Sequence, residues 1–465
     1  MSDDINKEGA DGAVDAAKRK GEYRTLVSMA MPMIVTQYCF ALFQFFDAWM
    51  VGALGDEALA AVVPAGLMVF VPATFGIGYL AGVTTFVGQC FGRGAEGECR
   101  GYAWLGIGLG FVFGVIAAIA LWPTAVPLFR LFGHEIAVFE YEVSYFRISL
   151  LAIAPQLVAI AITNFYLGIH RPRVAVVSAA VATALNIGLN YLLIFGKAGF
   201  PELGLSGAAW GTVLASLFQA AGLMIYFGLI GVGPAPASAE AGSGGSGERL
   251  RRLSRVGIPT GAQDVLEMMS WGVILVWLLG LFGTVHLAAG AILVRCMYLS
   301  FMPVEGIGAA LSAIVAKSIG EGNEAGAVRQ ARTGTRVAVG FMLLMGILFF
   351  VFRRPIAGLF TQDEMVIQVA MAGFIWVAAL QVFDGLHIVN AHCLQGAGDT
   401  LWASVVSLAC SVVVLLGGGL LVVYLFPEWQ STGIWGVAAF YVALQGLLFW
   451  MRWRSGAWRR MTLFA

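Results

Sequence analysis

"VGQCFGRG" occupies residues 87–94, and "VAKSIGEG" stands at residues 315–322, a shift of 228 positions. Working outward from this pair, other stretches fall into the same register. "MPMIV" at 31 meets "IPTGA" at 258, "GALG" at 52 meets "GLFG" at 280, and "LAA" at 59 meets "LAA" at 287. Further on, "LG" at 167 meets "QG" at 395, and "GLSGAAW" at 204 meets "GIWGVAAF" at 433. One such match could be chance in a chain with 60 glycines, but an offset held between 227 and 229 across these sites points to internal duplication. Between the copies lies "GPAPASAEAGSGGSGE", residues 233–248, a Pro/Gly/Ser/Ala run with no apolar period that reads as a flexible linker.

What each copy contains follows from hydropathy. Hydrophobic residues make up 59% of the chain and charged residues only 12%, with a mean hydropathy of +0.84, far from the roughly 45–50% apolar and 25% charged of soluble domains. This is the composition of a polytopic membrane protein. Runs long enough to cross a bilayer, about 20 residues each, are expected near 26–53, 59–91, 101–124, 145–168, 174–196, 206–231, 256–282, 287–319, 334–352, 370–394, 402–426 and 434–453. The fold class is therefore an all-α membrane protein of twelve transmembrane helices in two pseudo-symmetric six-helix lobes. The second and eighth runs exceed the hydrocarbon thickness and are expected to tilt, to kink at Pro72 and Pro303, or to extend into water. The domain reading is a tail at 1–25, an N-lobe at 26–232, a linker at 233–255, a C-lobe at 256–453 and a tail at 454–465.

Orientation follows from basic residues. The N-terminus, the loops after even-numbered spans and the C-terminus together carry 21 of the 27 Lys and Arg, against five on the opposite side. Both termini are thus expected to be cytoplasmic. An even number of spans per copy makes both copies enter from that side, so their symmetry axis runs along the membrane normal and a cleft between the lobes suits alternating access. The N-terminal segment lacks the apolar core of a signal peptide, so the first span is expected in the mature protein. The six cysteines form no CxxC and read as buried structural thiols rather than a disulfide or zinc framework.

The copies differ at their intramembrane acids. Asp47, inside "FQFFDAWMVG" (43–52), has Leu275 as its counterpart; Glu267 has Cys39 or a close neighbour, and Asp384 has Gln156. A charge near mid-membrane costs about 2.5–3.5 kcal/mol on insertion scales, which makes each a candidate functional residue. The plainer alternatives are neutralisation by a neighbouring Arg or a position at the interface. Asp264, one turn from Glu267, is a candidate acid supporting it. Arg295 in "AILVRCMYL" is the one basic residue outside the expected loops and is expected to neutralise Glu267 or Glu305, or to gate the cleft. Gln44, Phe43, Phe46 and Trp271 are candidate cavity-lining residues, with packing as the alternative. The spacing of Asp384, His387 and His392 converges poorly on a metal.

These residues resemble a known family. "FFDAWMVGALGDEALAAV" (45–62), "VGQCFGRG" (87–94), "LNIGLNYLLIFG" (185–196), "GLSGAAWGT" (204–212), "SFMPVEGIGAALSAIVAKSIGEG" (300–322) and "CLQGAGDT" (393–400) together are similar to the MATE (multidrug and toxic compound extrusion) transporters, over nearly the whole chain. Glu267, eight residues after Pro259, and Asp384, twelve before Gly396, resemble the NorM-like branch. The resemblance implies a multidrug efflux antiporter of the cell inner membrane that exchanges small organic cations for Na⁺ or H⁺, with no other cofactor. It also implies an N-lobe coupling site at Asp47, Asn186, Asn190 and Thr212, and C-lobe acids at Glu267 and Asp384 that serve coupling or substrate. Chemistry agrees with the first set: Asn186 and Asn190 share a helix face, and amide, hydroxyl and carboxylate oxygens suit a small cation. Hydrogen bonding between helices is the alternative use of such asparagines. The expected partners are organic cations and membrane lipid, with no nucleic acid, and the expected working unit is a monomer.

Other classes fit less well. A flippase or exporter of a lipid-linked or other amphiphilic metabolite would usually carry a basic cavity, and a channel would need a continuous polar stripe. An enzyme is not expected, since no HExxH, GxSxG or P-loop stands at a plausible position.

Overall fold

Four successive helices of the first half begin 228 residues before four of the second, so the repeat legible in the glycines is also the repeat of the backbone. The computed structural model describes residues 2–229, 245–461 and 463–464. In the first half α1 (Ser2–Gly52) is followed by α2 (Asp56–Gly92), α3 (Glu96–Leu121), a short α4 (Ala125–Arg130), α5 (Ile136–Leu150), α6 (Ile153–Gly168), α7 (Arg173–Ile194) and α8 (Leu205–Leu229). The second half has α9 (Ser246–Met269), α10 (Leu275–Gly280), α11 (Thr284–Gly320), α12 (Glu324–Val351), a short α13 (Arg353–Phe360), α14 (Glu364–Ala397), α15 (Thr400–Ala409), α16 (Gly418–Leu425) and α17 (Gln430–Arg454). Eleven helical stretches are long and apolar enough to span a bilayer, and the bent pair α5–α6 supplies a twelfth.

Local chemistry explains the shared boundaries. The turn before α2 puts Gly55 at φ 112°, and the turn before α11 puts Gly283 at φ 99°. At the other ends Gly94 and Gly322 have φ 73° and 71°. Only glycine takes these conformations without Cβ strain, which is why the octets that reveal the repeat are glycine-rich.

The structure departs from the expected boundaries in three places. The fourth span is two helices meeting at 41°, Ile136–Leu150 and Ile153–Gly168, where its repeat partner α14 runs unbroken. Its outer part, 136–144, carries Glu140 and Glu142, which depressed its hydropathy. Helix α9 begins at Ser246, so residues 246–255 of the expected linker are helical; residues 233–244 lie outside the described residues. Finally, the seventh and eleventh spans contain π-helical turns at Ser270–Ile274 and Cys410–Gly417. Ser270 Oγ bonds Ser411 Oγ at 2.9 Å across them and also donates to the Leu266 carbonyl. In the N-lobe, Thr183 makes the corresponding link by donating to the Cys39 carbonyl at 3.2 Å.

Each lobe has its own apolar core, one around Phe86, Phe146, Tyr166 and Phe227, the other around Leu278, Phe374, Trp435 and Tyr441. A third cluster joins the middle of α1, around Leu26 and Met29, to α11, α12, α14 and α17. On the outside, side chains such as Phe111, Ile116, Ile119, Leu344 and Ile347 are exposed and apolar, as a lipid-facing surface requires.

The lobes meet through pairs that the pseudo-twofold exchanges: α2 packs on α9 as α1 packs on α11, and α2 and α11 cross each other. That crossing is backbone against backbone. A Cβ on Gly92 would overlap the Lys317 carbonyl, and one on Gly320 would overlap the Gln89 carbonyl. Hydrogen bonds reinforce this end: Thr85 donates to the Gln395 carbonyl at 2.9 Å, Gln89 Nε2 to the Gly396 carbonyl at 3.2 Å, and His170 Nε2 lies 3.3 Å from the Ala313 carbonyl. Among the described residues, no hydrogen bond or ion pair joins the lobes beyond Thr74, midway along α2. The molecule is therefore fastened at the end rich in Lys and Arg and unfastened at the other.

Two residues near the C-terminus cross this seam. Phe464 lies under the Arg93 guanidinium, 3.5 Å from ring centroid to Cζ, and packs edge-on to Phe86 at 5.7 Å. Arg252 Nη2 donates to the Phe464 carbonyl at 3.3 Å, while Leu463 fills the space beside Gly398 of the C-lobe.

Candidate functional site

In the N-lobe, Asp47 near the end of α1 accepts a hydrogen bond from Asn190 Nδ2 of α7 at 2.9 Å. The same amide donates to Asn186 Oδ1 at 3.3 Å, and Asn186 Nδ2 donates to Thr212 Oγ1 of α8 at 3.3 Å. One helical turn separates the two asparagines, so both face α1 and α8, and both are fully buried. The backbone makes room for them: a Cβ on Gly211 would occupy the position of Asn190 Oδ1. That oxygen is buried without a hydrogen-bond partner. Buried acceptors are normally satisfied, so an orphaned amide oxygen beside a carboxylate is a donor set with room for one more electropositive partner. The structure thus joins the four residues expected here into one chain, while Gln44 is exposed and lies outside it. Phe43 stacks on Phe40, and Phe46 packs against the N-lobe core.

In the C-lobe, Asp264 and Glu267 on α9, Glu305 on α11 and Asp384 on α14 converge closely enough to interact electrostatically. Asp264, Glu267 and Asp384 make no hydrogen bond or ion pair among the described residues. Asp384 is only 7% exposed. The described residues contain no group of three His, Cys, Asp or Glu arranged to hold a metal ion. Trp271 packs into the C-lobe core rather than standing free.

Arg295 does not neutralise these acids. It is exposed on α11 and makes no ion pair among the described residues. Glu305 is paired instead with His392 of α14, Oε1 to Nε2 at 3.1 Å, and the other ring nitrogen of His392 is 3.1 Å from Gln395 Oε1. This pair is the part of the site that sequence reasoning missed. Its one available signal was a glutamate inside the eighth span with no basic residue at helical spacing, and the partner lies 87 positions away.

The comparisons with known proteins now bear on this geometry. The MatE family profile matches residues 32–192 and 262–418, once in each lobe. The chain belongs to the MatE family. Among its curated relatives, a probable multidrug resistance protein NorM of Rhizobium meliloti is 29% identical over 386 residues, covering 81% of this chain and 82% of the relative. The multidrug resistance protein NorM of Vibrio cholerae is 27% identical over 382 residues, 82% of this chain and 83% of the relative. A solved Vibrio cholerae MATE transporter superposes with a TM-score of 0.85 at 20% identity, covering 96% of this chain and 99% of that one. An outward-facing multidrug resistance MATE family transporter superposes at 0.84 with 19% identity, covering 95% and 97%. MatE proteins are transporters, and the two-lobed, twelve-span fold is theirs.

Proposed function

We propose that this chain is a secondary active multidrug efflux transporter of the bacterial inner membrane, with both termini cytoplasmic, which expels organic cations in exchange for inward-moving Na⁺ or H⁺. The observation that carries this reading is the set of acids in the membrane interior, Asp264, Glu267 and Asp384, which make no ion pair among the described residues and have no Lys or Arg against them. Unpaired carboxylates in a low-dielectric interior are costly, and a cationic ligand removes that cost. Asp47 with the orphaned Asn190 oxygen offers the N-lobe equivalent for a small cation. The transported ions are cargo; lipid surrounds the apolar girdle, and a single chain holds both lobes.

In this reading the present conformation, fastened at the basic end, opens toward the outside. A small cation entering from outside competes with the organic cation for acid oxygens, and its binding favours release of the seam around Gly92 and Gly320. The opposite opening then exposes the site to the cytoplasm. The acidic interior and the exposed position of Arg295 speak against an anionic lipid-linked sugar as cargo.

The test is ethidium export from energised vesicles with a Na⁺ gradient and a pH gradient imposed separately, on wild type and on Asp47→Asn. One gradient driving export, and its loss in the variant, supports the reading and names the ion. If neither gradient drives export from inserted protein, the drug-antiport reading fails and the amphiphile exporter takes its place.

A further inference from the structure

We infer that Glu305 and His392 form a dedicated proton-binding site in the C-lobe, separate from the unpaired acids, and that a cation arriving among those acids expels its proton. This rests on the proposed cation-transport reading and names a chemical partner for it.

The geometry is that of a built pair. Glu305 lies two residues beyond Pro303 on α11, and His392 projects from α14 to meet it at 3.1 Å. The imidazole is held from both sides, by Glu305 at Nε2 and by Gln395 at Nδ1. Its ring fills a notch in α11, since a Cβ on Gly308 would collide with His392 Cδ2. The repeat shows what an uncharged version of this crossing looks like. The N-lobe counterparts of Glu305 and His392 are Ile77 and Asn164, and Asn164 Nδ2 simply donates to the Leu80 carbonyl at 2.9 Å. An amide bonded to backbone is therefore enough to pack α11 on α14, and the ionisable pair supplies something more.

Access and surroundings fit a proton. The side chains of His392 and Glu305 retain 19% and 27% exposure, so water reaches them. The groups that face them are Asp264 and Glu267 from α9, and Asp384 and His387 from α14. From α2 come the uncharged Thr85 and Gln89, which bond the carbonyls of Gln395 and Gly396. No charged side chain of α1, α12 or α17 acts on either group, and Arg336 of α12 is exposed on the outside of its helix. With one proton shared between imidazole and carboxyl, the pair is neutral. When the proton leaves as H⁺ to water, neutral imidazole and carboxylate remain, and the cluster gains one negative charge that a cation can satisfy. The exchange is one proton for one positive charge. Because Gln395 both holds His392 and accepts from Thr85, the site also adjoins the seam that must part.

Two measurements on purified protein test this. Infrared difference spectra across a pH step, without substrate, are expected to show imidazole and carboxyl bands that vanish together in Glu305→Gln and in His392→Gln. Calorimetry of ethidium binding in buffers of different ionisation enthalpy is expected to show about one proton fewer released per bound cation in each variant than in wild type. Gln at either position keeps a hydrogen bond, so folding is retained. Bands that survive in His392→Gln, or an unchanged proton count, overturn the inference. If wild type binds no ethidium at all, the cation reading fails, and the spectra still decide whether the pair binds a proton.

Discussion

At the scale of single residues, the N-lobe chain makes a sharp demand on Gly211. Alanine there puts a methyl where Asn190 Oδ1 now lies, and overpacking of this kind costs about 1–3 kcal/mol. Gly211→Ala is expected to reach the membrane yet lose most ethidium export, because Asn190 must turn away from Asp47; export at wild-type rate would show that this chain is not used. Asn190→Ala removes the donor to Asp47, a bond to a charged group worth about 1.5–3 kcal/mol, so the affinity for the coupling ion should change by about tenfold or more, as read by the gradient needed for half-maximal export. The grouping of Asp47, Asn186, Asn190 and Thr212 came from the family resemblance, and only for Asn186 and Asn190 does a shared helix face add to it. The Glu305–His392 pair was not, since proximity between α11 and α14 is a tertiary fact, and Arg295 offered a misleading partner closer in sequence.

At the scale of elements, the crossing of α2 and α11 has no room for side chains. Gly92→Leu is expected to hold the basic end apart, which a cysteine placed at Ser318 reports as faster labelling from that side; unchanged labelling would mean that the seam closes by other contacts. His170 adds a pH dependence to the same seam. Burial and, secondarily, the charge of Lys317 push its pKa from 6.5 down to about 4. A depressed histidine stabilises the fastened form above pH 6.5 and loses that contribution as pH falls toward 4. Labelling should therefore accelerate over this interval, and His170→Gln, which keeps a donor for the Ala313 carbonyl, should abolish the acceleration. The helices themselves were legible from length and hydropathy. The π turns after Glu267 and at Cys410 were not, because no periodicity marks them, whereas the bend at Leu151–Ala152 has a signal in Pro155, which carries no N–H for the Leu151 carbonyl.

At the scale of the whole molecule, duplication makes most of the architecture readable from one octet, and what it leaves unread is whatever breaks the symmetry. The C-terminal crossing is such a feature, for no described residue of the first half corresponds to it. Phe464 touches Arg93 and Phe86 of the N-lobe and Arg252 of α9, while Leu463 rests on Gly398. On the proposed alternating-access reading those contacts are lost when the basic end opens, so they add to the free energy of the fastened state. A cation–π contact contributes about 0.5–2 kcal/mol, and the half-buried ring adds part of the roughly 1.5–3 kcal/mol of a fully buried phenyl. Phe464→Ala is accordingly expected to shift the equilibrium toward the open basic end by tenfold or more, on the scale of about 1.4 kcal/mol per decade. Labelling of the Ser318 cysteine from the basic side should rise, with some loss of N-lobe thermal stability because Phe464 also packs on that core, and with the C-lobe nearly unchanged. Arg93→Ala should reproduce part of the effect. If both variants label like wild type, the crossing is a passive rest for the chain, and the seam is held by α2 and α11 alone.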